Sequence, residues 1–104
     1  MRTSDAKQLD LNAAERQCVR ALLQRHLPHT EVWVYGSRAK GCARPSSDLD
    51  LVVFTAPEQQ LAVEDLREAF EESDLPFRVD LFVWDELPES FRKNIEQEHV
   101  VLVA

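Results

Sequence analysis

A chain of 104 residues with 44% hydrophobic content can bury one modest core, which argues against two independent domains and predicts a single domain over residues 1–104. Lys and Arg total 12 against 19 Asp and Glu, a formal net charge of -7, which is the reverse of the basic footprint of an autonomous nucleic-acid binder. The same acidity is compatible with a nucleotide substrate if divalent metal ions bridge carboxylates to phosphate oxygens.

In chain order, Met1 to Leu11 is polar and mixed in charge, without the apolar run of a signal peptide, and no later stretch approaches membrane-spanning length. Asn12 followed by Glu15 has the spacing of a capping box, and Cys18, Val19, Leu22, Leu23 and His26 recur at helical spacing, so a first helix is expected to end near Leu27 and Pro28. Cys18 and Cys42 are the only cysteines and form no CxxC pair, which reads as two reduced thiols in a cytoplasmic protein. Glu31 to Tyr35 is β-branched and aromatic and stops at Gly36, as a strand entering a tight turn does. Gly36 to Gly41 can form a short helical turn, and the segment to Ser47, with Arg44, Pro45 and two serines, reads as loop.

Asp48 to Phe54 is a second strand, after which Thr55 is placed to cap a helix with Pro57 in its first turn and Leu61, Leu66, Ala69 and Phe70 on its apolar face. Asp74 and Pro76 end that helix. Phe77 to Val83 alternates around Asp80 as a third strand, Pro88 opens a last amphipathic helix bearing Phe91 and Ile95, and Val100 to Val103 adds an edge strand. Trp33 and Trp84 are expected in or near the core, and His26, His29 and His99 at helix ends or on the surface. The fold class is therefore α/β (α+β): a small mixed sheet covered by helices, in the order α-β-(α)-β-α-β-α-(β).

Side chains alternate across a strand, so Asp48 and Asp50 project to one face while Leu49 and Leu51 project to the other. Adjacent like charges repel, an arrangement kept for binding cations rather than for stability. Asp80, between Val79 and Leu81, repeats the pattern in a later strand. Three carboxylates on two strands suit phosphoryl transfer, in which two Mg²⁺ ions ~3.5–4 Å apart activate an attacking hydroxyl and stabilise the departing pyrophosphate. Asp48, Asp50 and Asp80 are the candidate catalytic and metal-holding residues, with Asp80 placed to receive or relay the hydroxyl proton. Gly36 lets backbone approach a phosphate, Ser37 offers a hydroxyl and an amide, and Arg38, Lys40 and Arg44 add positive charge; Gly36, Ser37, Arg38 and Lys40 are the candidate nucleotide-binding set.

Gly36-Ser37, ten intervening residues and Asp48-Leu49-Asp50 resemble the GSx10DxD signature of the DNA polymerase β-like nucleotidyltransferase superfamily, and Arg78-Val79-Asp80-Leu81 stands where that family carries its third carboxylate. The resemblance runs from about Glu31 to Val83. Cys42 departs from it, standing where many relatives have Thr. In size and motif the chain is similar to the minimal nucleotidyltransferases (MNT) often encoded beside a HEPN-domain protein. That resemblance implies a Mg²⁺-dependent transfer of AMP from ATP to a tyrosine of a HEPN toxin partner, an antitoxin role without direct nucleic-acid or membrane binding. Two other readings stand beside it: transfer to a small-molecule hydroxyl, and a non-catalytic module that blocks its partner by contact. No motif selects ATP over other triphosphates.

Overall fold

The structure, a computed structural model, describes residues 9–104, so the expectation for the polar lead falls outside the described residues as far as residue 8. Asn12 does cap the first helix, α1 (Ala13–His26): its Oδ1 accepts from the Glu15 amide at 2.7 Å, and its own amide donates to Glu15 Oε1 at 3.1 Å. This reciprocal pair satisfies two amides that the first turn leaves without intrahelical acceptors. Strand β1 (Val32–Tyr35) follows, then the single turn of α2 (Ser37–Lys40), strand β2 (Leu49–Val53), and a 3₁₀ turn (Pro57–Gln59) that leads into α3 (Gln60–Glu71). Strand β3 (Val79–Val83), a second 3₁₀ turn (Trp84–Glu86), α4 (Glu89–Gln97) and β4 (Val100–Val103) complete the order.

The four strands form one mixed sheet in the order β3-β2-β1-β4. β1 runs antiparallel to β2 and to β4, whereas β2 and β3 are parallel, joined by the α3 crossover that parallel neighbours require. Alternation then sorts the side chains. Val32, Val34, Leu49, Leu51, Val53 and Leu81 join one buried cluster with Val19, Leu23, Val63, Leu66 and Phe70 of α1 and α3. Val52 and Ile95 are also buried but stand outside that cluster, because Val52 points to the other face of the sheet, the one α4 partly covers.

The apolar face of α3 differs from expectation at one position. Leu61 is 79% exposed and Val63 is buried in its place, because Val63, Leu66 and Phe70 recur at helical spacing on one side of α3 whereas Leu61 falls on the opposite side. Both sheet edges carry an arginine. Arg67 donates to the Leu81 carbonyl of β3 through Nε and Nη2, at 3.2 and 2.8 Å, and Arg20 Nη2 donates to the Leu102 carbonyl of β4 at 3.0 Å. A charged side chain bonded to an edge carbonyl discourages pairing with a further strand.

Among the described residues no helix is long and apolar enough to cross a membrane. Cys18 and Cys42 are free thiols.

Candidate active site

β1 ends on Gly36, whose backbone (φ 77°, ψ -157°) lies in a region open essentially to glycine alone. The chain turns there into α2, with the Gly36 carbonyl accepting from the Ala39 and Lys40 amides at 3.1 and 3.2 Å, and Gly41 closes the turn in the left-handed region. A Cβ on Gly36 would stand 2.5 Å from Asp50 Oδ2. The glycine is thus required twice, by its dihedral angles and by the carboxylate pressed against it. Ser37 begins the helical turn directly after that glycine.

Parallel pairing of β2 and β3 sets Asp50 opposite Asp80, and antiparallel pairing of β1 and β2 sets Tyr35 opposite Asp50. All three side chains project from the face that carries Val52 rather than from the face packed by α1 and α3. Asp48, two residues before Asp50, stands just ahead of β2, within reach of the same arginine that meets Asp80. Arg78 Nη2 lies 3.0 Å from Asp48 Oδ2, and Arg78 Nε lies 3.3 Å from Asp80 Oδ1. One guanidinium therefore ties the first and third carboxylates together, in a largely exposed position where such pairs are individually weak.

Burial pushes the Asp50 carboxyl up to about 6, with the Asp80 and Asp48 charges adding to the rise and Arg78 opposing it. The Tyr35 hydroxyl is held well above the ordinary phenol range by burial first, and then by the charges of Asp50 and Asp80, so it remains protonated. The site thus accumulates negative charge at a half-buried point and is relieved by any cation that arrives. Among the described residues no three acidic, histidine or cysteine side chains already converge on one point as a finished metal cage would. The donor set nevertheless fits Mg²⁺: Asp48, Asp50 and Asp80 offer only carboxylate oxygens, and Mg²⁺ needs few of these because it keeps water and substrate oxygens as its other ligands.

The candidate nucleotide-binding residues separate in space. Gly36 stands against Asp50 with Ser37 next in the chain, and Lys40, one turn on, is half-exposed and 3.8 Å from Glu98 Oε1. Arg38 goes elsewhere. Its guanidinium is buried and donates to the carbonyls of Asp10, Arg44, Pro45 and Ser47 at 2.6 to 3.3 Å, with its charge 4.0 Å above the Phe77 ring. The sequence reading put Arg38 among the phosphate-binding cations because of its place in the motif. In the structure it fastens the loop that delivers Asp48 and has no donor facing Asp50.

Four residues of the site had no role in the sequence reading. Tyr35 could have been found from pairing, as the residue opposite Asp50. Arg78 carried a legible signal, a cation two residues before the third carboxylate on the same strand face. Phe82 and Phe91, 37% and 40% exposed, lie within 6.3 and 5.9 Å of the Tyr35 ring and form an aromatic shelf beside the carboxylates. Farther along this face Trp33 stacks on His99 at 3.8 Å and meets Trp84 edge-on at 5.5 Å, so both tryptophans pack under α4 rather than in the main core.

Residues 15–103 match the family model described as a nucleotidyltransferase domain. A Haemophilus influenzae protein named "Probable protein adenylyltransferase MntA" is 46% identical over 96 residues, covering 91% of this chain and 84% of its own length. Among solved structures, a candidate minimal nucleotidyltransferase is 34% identical with a TM-score of 0.65, covering 84% of this chain and 88% of its own. A toxin–antitoxin assembly crystallised with AMP-PNP shares the fold at a TM-score of 0.70 and 21% identity, over 86% of this chain and 73% of its own.

Proposed function

The chain belongs to the nucleotidyltransferase domain family, and from that premise we propose that it transfers AMP from ATP to a tyrosine hydroxyl of a HEPN-type toxin partner, silencing that partner as an antitoxin. The observation that carries the chemistry is the register of Asp50 opposite Asp80 in parallel strands, with Asp48 alongside and Gly36 pressed against Asp50. The name of the Haemophilus influenzae relative supports the adenylyl group and a protein acceptor, and the toxin–antitoxin assembly that shares the fold supports the kind of partner.

Asp48, Asp50 and Asp80 are the residues that would hold Mg²⁺, which when bound supplies positive charge to the triphosphate and lowers the barrier to attack at phosphorus. Gly36 and Ser37 admit the phosphates against the backbone, and Lys40 exchanges Glu98 for a phosphate oxygen. Asp80, opposite Asp50 on the neighbouring strand, receives or relays the proton of the acceptor hydroxyl. The acceptor oxygen forms a bond to the α-phosphorus as the bond to the bridging oxygen breaks, and pyrophosphate leaves with the electron pair. Arg78, released from Asp48 and Asp80, remains close enough to balance their charge between turnovers.

Co-expression with the product of the neighbouring reading frame, followed by incubation with ATP and Mg²⁺ and intact-mass measurement of that product, tests the proposal. The expected result is a gain of one or more adenylyl units that is lost in Asp48→Ala/Asp50→Ala. A tight complex with no mass change, unaffected by the double substitution, would leave inhibition by contact alone.

A further inference from the structure

Between α2 and α4 lies an open groove of about 560 Å³ that begins at Gly36 and is lined by Tyr35, Lys40, Phe91, Asn94 and Gln97. We propose that this groove holds the nucleoside of the triphosphate and selects adenine, with the base stacked on Phe91 and its edge read by the amides of Asn94 and Gln97. The proposal rests on the nucleotidyl-transfer reading above, and it supplies the base selectivity that no sequence motif provides.

Position is the first argument. The nucleoside is covalently tied to the phosphates, so its site must open onto theirs, and the groove reaches Gly36, whose missing Cβ leaves the approach to Asp50 clear. Chemistry is the second. Phe91 is 40% exposed although it is a large apolar side chain, and it meets the Tyr35 ring edge-on at 5.9 Å, which fixes its plane and leaves ring surface for a stacking partner. Asn94 follows Phe91 by three residues on α4, so the two share one side of the helix. Each side-chain amide presents a donor and an acceptor together, the pattern that complements N6 and N7 of adenine.

The acceptor tyrosine of a partner fits this groove less well. Its one hydroxyl has to reach the carboxylates, and a phenol in the groove would leave both amides without a matching edge. Lys40 stands at the groove close to where the phosphates begin, paired with Glu98 at 3.8 Å, and a phosphate oxygen would replace that carboxylate as its partner.

The test is calorimetric binding of α,β-methylene ATP, its guanine counterpart and tripolyphosphate to the full chain in Mg²⁺. Phe91→Ala is expected to weaken the ATP analogue about tenfold, with Phe91→Trp retaining affinity, because aromatic stacking tolerates any ring. Asn94→Ala/Gln97→Ala is expected to reduce the preference for the adenine analogue over the guanine analogue by roughly tenfold. Tripolyphosphate should bind all variants within twofold of the parent. If these substitutions leave the ATP analogue untouched while tripolyphosphate still competes with it, the nucleoside lies elsewhere and this proposal fails alone. The same result with weakened partner binding would assign the groove to the acceptor. If the parent chain binds neither analogue nor tripolyphosphate, the nucleotidyl-transfer reading falls and the groove assignment falls with it.

Discussion

The two faces of this sheet are built from the same strands and differ by one residue of phase. On the helix-covered face Val34, Leu49, Leu51 and Val53 are fully enclosed within the apolar core cluster. On the other face the alternate positions carry Tyr35, Asp50, Asp80 and Phe82, half-buried, mutually repelling and partly open. The first face stabilises the domain, and the second draws on that stability to hold carboxylates where they would not otherwise gather. This division also explains why the glycine turn tolerates no side chain: Gly36 is where the chain passes from the packed layer to the charged one.

Substitutions in each face sharpen or break this contrast. The largest effect is expected from Asp50→Asn, which should reduce AMP transfer to the partner by roughly 10³-fold, since on the proposed chemistry the loss of a carboxylate that would hold Mg²⁺ removes several kcal/mol of transition-state stabilisation. Mass spectrometry of the partner over time reads this directly. Leu51→Ala, one residue away on the opposite face, should instead lower stability by about 3 kcal/mol, seen as an earlier urea midpoint. A stability loss from Asp50→Asn as large as that from Leu51→Ala would break the contrast.

Gly36→Ala comes next. It should cost about 2 kcal/mol for an alanine forced into a glycine-only conformation, and it should also impair transfer by displacing Asp50. Thermal unfolding and the transfer assay check the two parts separately.

The smallest effect has the opposite sign. The Asp50 carboxyl is raised from 3.8 to about 6 in the folded chain, so its ionised form is disfavoured by folding. Its contribution to stability is complete below about pH 4 and is lost as pH rises through about 6. Asp50→Asn should therefore be more stable than the parent at pH 7, by about 1 kcal/mol once partial exposure to solvent is allowed for, and the difference should vanish near pH 4. Denaturant titrations at the two pH values, without divalent metal, measure it.

Much of the local structure was legible from spacing. Asn12 and Glu15 announced the first helix, the apolar alternation around Asp50 and Asp80 announced two strands, and the Gly36-Ser37 to Asp48 interval announced the turn that faces them. Arg38 and Leu61 were misassigned for different physical reasons. Local periodicity gives a residue's direction relative to its own element, but burial depends on what approaches from elsewhere in the chain. For Arg38 the approaching groups were the carbonyls of Asp10 and of the loop 44–47, whereas Leu61 was misread within its own helix, where it stands opposite the side shared by Val63, Leu66 and Phe70. The sequence by itself determined which residues alternate to which side of each strand and how far apart the glycine turn and the carboxylates lie, because these follow from the two-residue period of a strand. Only the tertiary structure decided that Asp80 stands opposite Asp50, that Arg78 joins Asp48 to Asp80, and that α4 leaves a groove above Tyr35. Those features depend on strand register and helix docking between segments tens of residues apart, which no short-range pattern encodes.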